Sequence, residues 1–340
     1  MKIAIHHRVH SFSENWIRYC QEHAIDYKVV NCYDSNAVSQ IADCDAVMWH
    51  FHHNHPADTL FAKQFLFSLQ QTGKKVFPDF NTVWHFDDKL GQKYLLELSG
   101  VPVVPTHVFF SKQEALQWSN HASFPKVFKL RGGAGAENVM LVKDVQKARK
   151  LIKKAFAKGF RSKNRISFLK ERIWHFKRDQ SIQSFINISK GIGRLFIPGG
   201  AEKALAKQKN YVYFQDYIPG NDADIRVIVI EHRAFAIKRM VRKGDFRASG
   251  SGQIVYDPAA IPVECLRIAF DATKKMNVQC MAYDFVLKDN KPLIVEISYA
   301  FTQAVYKNCP GYWTDKLDWV EGHFTPEFFM IQDLIKSSDG

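Results

Sequence analysis

Two short apolar runs, Tyr283-Asp284-Phe285 and Val295-Glu296-Ile297-Ser298, each carry a carboxylate in their interior. An ionised carboxylate in apolar surroundings costs several kcal/mol unless it is paired or bound to a metal. Whatever this chain folds into must therefore bring both acids to a partner. The intervening Lys288-Asp289-Asn290-Lys291-Pro292 reads as a turn, and twelve residues separate Asp284 from Glu296. Adjacent antiparallel strands joined there put both acids on one face. Oxygen ligands that leave room for phosphates suit Mg²⁺. A salt-bridged pair in a plain hairpin is the simpler alternative.

A second run, Phe128-Lys129-Leu130-Arg131-Gly132-Gly133-Ala134-Gly135-Ala136, sets a lysine in a strand just before a glycine-rich turn. Backbone N–H groups of such a turn can wrap phosphates while the lysine adds a point charge. No helix opens from the glycines, so this is neither a P-loop nor a dinucleotide fingerprint, and alone it also describes an ordinary hairpin. Third come Gln215-Asp216-Tyr217-Ile218, Asp224-Ile225-Arg226, Lys238-Arg239 and Gly244-Asp245-Phe246-Arg247, with arginines in or beside apolar strands. A guanidinium is a rigid fork suited to carboxylate and phosphate, and it stabilises charge developing on a transferred group.

Short β-branched runs at 2–6, 27–31, 45–50 and 75–77, spaced by helix-like stretches such as 61–71, indicate an open α/β domain with a parallel sheet. A helix is expected over 87–98; Gly100 stops it, and Pro102 and Pro105 favour extended chain beyond. Further strands read at 126–130, 139–142, 211–218, 225–231, 234–239, 281–287 and 293–297, with helices at 145–158, 263–276 and 326–336. The expected division is an N-terminal α/β domain over 1–86, a smaller sub-domain over 87–215 and a larger one over 216–340.

The net charge of +13 is concentrated, since the block 153–209 holds 15 Lys and Arg against three acids. It reads either as a solvated face or as a platform for an anionic partner. Within it Ile166, Phe168, Leu169, Ile173, Trp174 and Phe176 interleave with the charges, which predicts a folded helical element with one buried face over 161–178. The six cysteines are scattered with no C-x-x-C pair, as reduced cytosolic thiols are. No run of about 18 apolar residues and no leader-like start is visible, so cytoplasm is the expected compartment. Histidines crowd the ends of the first and third strands: His6, His7 and His10, then His50, His52, His53 and His55. Ligands bind beyond strand C-termini in open α/β sheets, which makes these candidate substrate contacts more readily than a metal centre.

In their order the motifs resemble the ATP-grasp superfamily: Asp88-Lys89-Leu90, Gly100-Val101-Pro102-Val103-Val104-Pro105-Thr106, Lys129 with its glycine loop, Gln215-Asp216-Tyr217-Ile218, Asp224-Ile225-Arg226, Gly244-Asp245-Phe246-Arg247, Asp284 and Glu296. The likeness covers roughly 80–305 and is greatest to the branch containing the glutamate ligase that modifies a ribosomal protein. It implies an N-terminal open parallel α/β domain followed by a two-lobed ATP-grasp fold of two α+β sub-domains. It also implies that ATP converts a carboxylate to an acyl-phosphate, from which an amine displaces phosphate. Carried over by position, Lys89 and Lys129 would contact the ATP phosphates under Gly132, Gly133 and Gly135. The backbone of Gln215, Asp216, Tyr217 and Ile218 would read the adenine edge, with Asp224 near the nucleotide. Arg247, with Arg226 and Arg239, would serve the transferred phosphate. Asp284, Glu296 and Ser298 would hold one or two Mg²⁺ ions, with Mn²⁺ as a substitute.

Two departures stand out. The family's usual asparagine two residues after the second metal carboxylate is Ser298 here, an oxygen donor of shorter reach. The stretch between Lys129 and Gln215 is longer than in that branch, and the excess coincides with the basic block. This insertion is expected to recruit a large anionic acceptor such as an acidic saccharide. Ligation has two rivals: phosphorylation of a hydroxyl, and a non-catalytic nucleotide-binding scaffold docked on polyanion or membrane.

Overall fold

The computed structural model describes residues 1–132, 139–161, 207–241 and 252–336, with isolated positions between 172 and 192. Nearly all of the basic element over 161–178, together with Gly133, Gly135 and Arg247, lies outside the described residues. The strands, in chain order, are β1 Ile3–His6, β2 Tyr27–Val30, β3 Ala46–Trp49, β4 Lys75–Phe77, β5 Thr106–Phe109, β6 Lys126–Lys129, β7 Met140–Val142 and β8 Val212–Asp216. They continue as β9 Ala223–Ile230, β10 Arg233–Met240, β11 Ile254–Val255, β12 Cys280–Lys288, β13 Lys291–Ser298, β14 Gly311–Thr314 and β15 Trp319–Glu321. Of these, β11, β14 and β15 have no counterpart in the expectation from sequence, and neither does the helix Lys112–His121. The chain divides into two compact units, one of 1–86, 94–103 and 220–340, the other of 87–93 and 104–219.

In the first unit β2-β1-β3-β4 form a wholly parallel sheet. Every residue of β1 (IAIH) and β3 (AVMW) is buried, the pattern of strands covered on both faces. The helix Phe12–Glu22, capped by the Ser11 hydroxyl, packs on Ile3, Ile5, Ala46 and Met48, and the helix Pro56–Gln71 on Val47, Trp49 and Val76. A seven-stranded antiparallel sheet follows, ordered β13-β12-β9-β10-β14-β15 with β11 beside β10. Alternation along β9 separates its faces: Ile225, Val227 and Val229 meet the helix Val263–Met276, whereas Ile228 and Ile230 pack with Phe301, Tyr306 and the helix Pro326–Lys336. Each of these cores also contains side chains from 1–86, such as Trp49 in one and Trp16 in the other. Residues 1–86 and 220–340 therefore share cores and form one unit, where the sequence divides them into separate domains.

The second unit holds the antiparallel sheet β5-β8-β6-β7. Phe128, Val142, Val212 and Phe214 on one face pack with Ala115, Ala148, Leu151 and Ile152 of the helices Lys112–His121 and Val145–Ala155. Both helices start at side-chain caps, Ser111 accepting from the Glu114 N–H and Asp144 from the Lys147 N–H. All six cysteines are buried and free. Among the described residues no helix is long and apolar enough to cross a membrane.

Candidate active site

The β12–β13 hairpin places the two acids. Its loop is Asp289 and Asn290 alone, both with positive φ (51° and 61°), as a type I′ turn requires and Asx residues tolerate. A two-residue turn pairs positions an odd number apart, from Lys288 with Lys291 to Phe285 with Ile294. Continued unchanged, that register would oppose Asp284 to Val295 and turn Glu296 to the other face. A bulge between Asp284 and Phe285 shifts the register by one residue and sets Glu296 opposite Asp284.

Next to this pair, on β9 and β10, lies an ionic network. Arg226 stands opposite Asp284, and Asp224 opposite Arg239. Arg226 donates from Nε and a terminal nitrogen to the two Asp284 oxygens, at 2.5 and 2.8 Å. Arg239 grips Asp224 in the same way, at 2.7 and 2.6 Å, and reaches Asp284 at 3.0 Å. These four side chains are only 10% to 22% exposed, so each charge depends on the others. Burial pushes the Asp284 carboxyl up, but Arg226 and Arg239 outweigh it and hold the group well below the usual carboxylate range. For Asp224 burial prevails over Arg239, and its carboxyl is raised. Burial opposes the charge of Arg239, yet Asp284 and Asp224 raise its pKa and keep it a cation. The sequence marks Arg226, Arg239 and Asp224 as groups for the phosphate and nucleotide; in the structure they first compensate one another.

The donor set fits a magnesium ion in part. Asp284 and Glu296 are hard oxygen ligands on neighbouring strands, and Mg²⁺ needs only one or two carboxylates when substrate phosphates and water complete its shell. The hydroxyl of Ser298, the third expected ligand, is occupied locally, donating to the Ala300 carbonyl at 2.9 Å and accepting from the Ala300 N–H at 3.2 Å. Among the described residues no group of three or more His, Cys, Asp or Glu is placed to hold a metal, which does not suit an all-protein zinc site.

In the second unit, Lys129 stands opposite Tyr213, and Gln215 opposite both Val127 and Thr106. Lys129 and Gln215 thus share the sheet face that turns away from the Phe128 and Phe214 core. Both are 4% exposed, as is Lys89. The Gln215 amide donates to the Thr106 hydroxyl at 3.2 Å. Asp216 points to the opposite face, where Lys126 donates to it at 2.6 Å and His107 lies 3.4 Å away. Its backbone N–H donates to the Pro105 carbonyl at 2.9 Å. Of the expected adenine-reading stretch, Tyr217 and Ile218 follow half-buried. Asp88 caps its helix through Leu90 and Gly91 and pairs with Arg131 at 2.5 Å, while the Lys89 N–H donates to the Arg131 carbonyl at 2.9 Å. Those bonds tie Lys89 to the end of β6. At Gly132 a Cβ would sit 3.1 Å from an Asp87 oxygen, so a larger residue would press on that side chain.

The histidines divide into two kinds. His50 is buried and stacked on Phe12 at 3.7 Å, and its Nδ1 accepts from the Phe12 N–H at 3.1 Å. Burial holds it well below the ordinary histidine pKa. Burial likewise lowers His6 to about 4, where its Nδ1 accepts from the Cys32 N–H. His55, by contrast, is 45% exposed and lies 3.6 Å from Asp58. Sequence reasoning missed Arg8, Tyr33 and Asp58, which meet at this strand edge. Asp58 in the first turn of a helix reads as a capping acid, so nothing in the sequence marks it.

Residues 197–305 match the RimK-like ATP-grasp domain family. No curated protein matches the chain by sequence. Among solved structures, a RimK-domain ATP-grasp protein from Sphaerobacter thermophilus is similar at 15% identity and a TM-score of 0.55, over 99% of this chain and 100% of that one. D-cycloserine synthetase is similar at 14% identity and 0.57, over 99% of each chain. D-alanine–D-alanine ligase from Bacillus anthracis, solved with ATP, is similar at 11% identity and 0.58, over 100% of this chain and 99% of that one.

Proposed function

We propose that this chain, which has the ATP-grasp fold, is an ATP- and magnesium-dependent ligase that joins a carboxylate to an amine. The observation that carries this reading is the bulge that sets Glu296 against Asp284 beside the Arg226 and Arg239 forks. Magnesium, held by Asp284 and Glu296, would neutralise phosphate charge. Lys89 and Lys129 would bind the phosphates as point charges under the glycine loop, and Gln215 to Ile218 would hold the adenine by their backbone. The Arg226–Asp284–Arg239–Asp224 network would keep the metal carboxylate ionised and fixed in direction. The carboxylate oxygen of one substrate attacks the γ-phosphorus of ATP and ADP leaves. The amine of the other then attacks the acyl carbon, and phosphate and a proton leave. Arg247 would steady the charge on the transferred phosphate.

We also propose that the basic block recruits an anionic acceptor and that the protein works in the cytoplasm. Its charge concentration supports the first, and the free buried cysteines are consistent with the second. Phosphate release from ATP, screened over mixtures of carboxylates and amines with mass spectrometry of the products, tests the reading. A new amide with ADP and phosphate is the expected result. ADP with a phosphorylated hydroxyl compound would instead mark a kinase, and nucleotide binding without turnover a scaffold.

A further inference from the structure

The N-terminal sheet carries a polar site that the chemistry above leaves without a task. In the order β2-β1-β3-β4, β2 and β3 lie on opposite sides of β1, so the chain reverses direction across the sheet between β1 and β3. Ligands of open parallel sheets bind beyond the strand C-termini at such a reversal. Arg8 follows β1 there, and residues 50–55 follow β3.

Arg8 donates one terminal nitrogen to Asp58 and the other to the His50 carbonyl, both at 2.8 Å. The Asp58 side chain is fully buried, and it also accepts from the Tyr33 hydroxyl and, at 2.6 Å, from the His52 N–H. Its place in the first turn of the Pro56–Gln71 helix further favours its charge. A carboxylate with this many donors is an anchor whose own needs are met. Its effect on Arg8 is to fix the fork in one orientation while the side chain stays 27% exposed. A guanidinium has five N–H donors, and these contacts use two; among the described residues the remainder have no partner.

A second observation comes from His50. Because Nδ1 accepts the Phe12 N–H, the neutral ring carries its proton on Nε2. That Nε2–H is buried and, among the described residues, has no partner. A buried donor left so costs about 1–3 kcal/mol, a penalty that an incoming oxygen would remove. The His50 ring stands edge-on to Tyr299, with centroids 6.0 Å apart, and Tyr299 is bonded through its hydroxyl to the Phe51 carbonyl at 2.5 Å. Tyr299 directly follows Ser298, the last residue of the strand that carries Glu296. The Arg8 site is thus connected through His50 and Tyr299 to the proposed metal strand.

We propose that Arg8, held by Asp58 and the His50 carbonyl, binds with the Nε2–H of His50 an anionic oxygen group, a carboxylate or phosphate, of the second substrate. The word substrate rests on the ligase reading; anion binding at Arg8 does not. The test is NMR of the ¹⁵N-histidine-labelled protein without nucleotide, titrated with succinate in one arm and inorganic phosphate in the other. The His50 ring signal should shift saturably, and Arg8→Lys, which keeps the charge but loses the fork, should raise the half-saturation ~10-fold or more. MgADP affinity by calorimetry should be the same in both proteins, which also certifies the fold of the variant. A response to succinate alone assigns a carboxylate, and to phosphate alone a phosphate ester. No His50 shift with either anion in the parental protein, or equal half-saturation in Arg8→Lys, overturns the proposal. Absence of MgADP binding in the parental protein would sink the ligase reading and leave the anion result standing.

Discussion

Replacing Asp284 by Asn separates the two duties this acid is given. In the structure it accepts two charged hydrogen bonds from Arg226, at 2.5 and 2.8 Å, and forms an ion pair with Arg239 at 3.0 Å, with its side chain 15% exposed. Asparagine keeps one oxygen acceptor but no charge, so Arg226 is left a buried cation without its acid, whereas Arg239 retains Asp224. Breaking a buried pair from one side costs ~3–5 kcal/mol, and the remaining acceptor points to the lower end. With a urea slope of ~2–3 kcal/mol/M, a loss of ~3 kcal/mol lowers the unfolding midpoint by about 1–1.5 M. Trp16 and Trp49, both fully buried in the same unit, report that transition by fluorescence. The double change Arg226→Met with Asp284→Leu should recover most of the midpoint, because an apolar pair of similar size often replaces a buried ion pair without loss. ATP turnover should be absent from both variants. A parental midpoint for Asp284→Asn, or a double variant less stable than the single one, would refute the claim that the network holds this end of the sheet together.

Glu296→Gln should reduce ATP turnover ~10³-fold or more in a protein that still folds, since it removes a charge that helps bind the metal; parental turnover would place the metal elsewhere. Lys129→Ala should weaken ATP binding by ~1.5–3 kcal/mol in calorimetry, and unchanged affinity in a folded variant would remove it from the phosphate site. Glu327 is 1% exposed, and burial pushes its carboxyl up to about 7. An acid whose folded pKa is raised favours the fold below its ordinary value of 4.5, and that contribution is lost as pH rises through about 7. Glu327→Gln should therefore raise Tm near pH 8 and not near pH 5, as scanning calorimetry at both values would show.

Much of the fold is legible in the chain because strand and helix periods are local. The buried runs of β1 and β3, the helix Val263–Met276 and the strands β9, β10, β12 and β13 all lie within a few residues of their expected positions. Short strands in mixed-polarity segments, β14 and β15, are not legible, since their pairing partners are distant or only marginally apolar. The candidate site divides along the same line. Residue types and order mark Asp284, Glu296, Lys129 and Gln215, because a carboxylate or lysine within an apolar strand is anomalous wherever it occurs. Arg8, Tyr33 and Asp58 belong to separate connections, and each is unremarkable until the parallel sheet brings those connections to one edge.

The sequence by itself determined that two carboxylates would enter adjacent strands joined by a turn within Lys288-Asp289-Asn290-Lys291-Pro292; that the turn is Asp289 and Asn290 alone is a finding of the structure. The sequence did not determine that the two acids would meet. Twelve residues is an even separation, and a two-residue turn brings together only positions an odd number apart. The bulge between Asp284 and Phe285 supplies the missing residue. On its own a bulge costs ladder hydrogen bonds. Here β9 lies along the other side of β12 and sets Arg226 opposite Asp284, whose carboxylate it binds through two hydrogen bonds. That strand comes from nearly sixty residues earlier in the chain, so only the tertiary structure decided which face Glu296 would occupy.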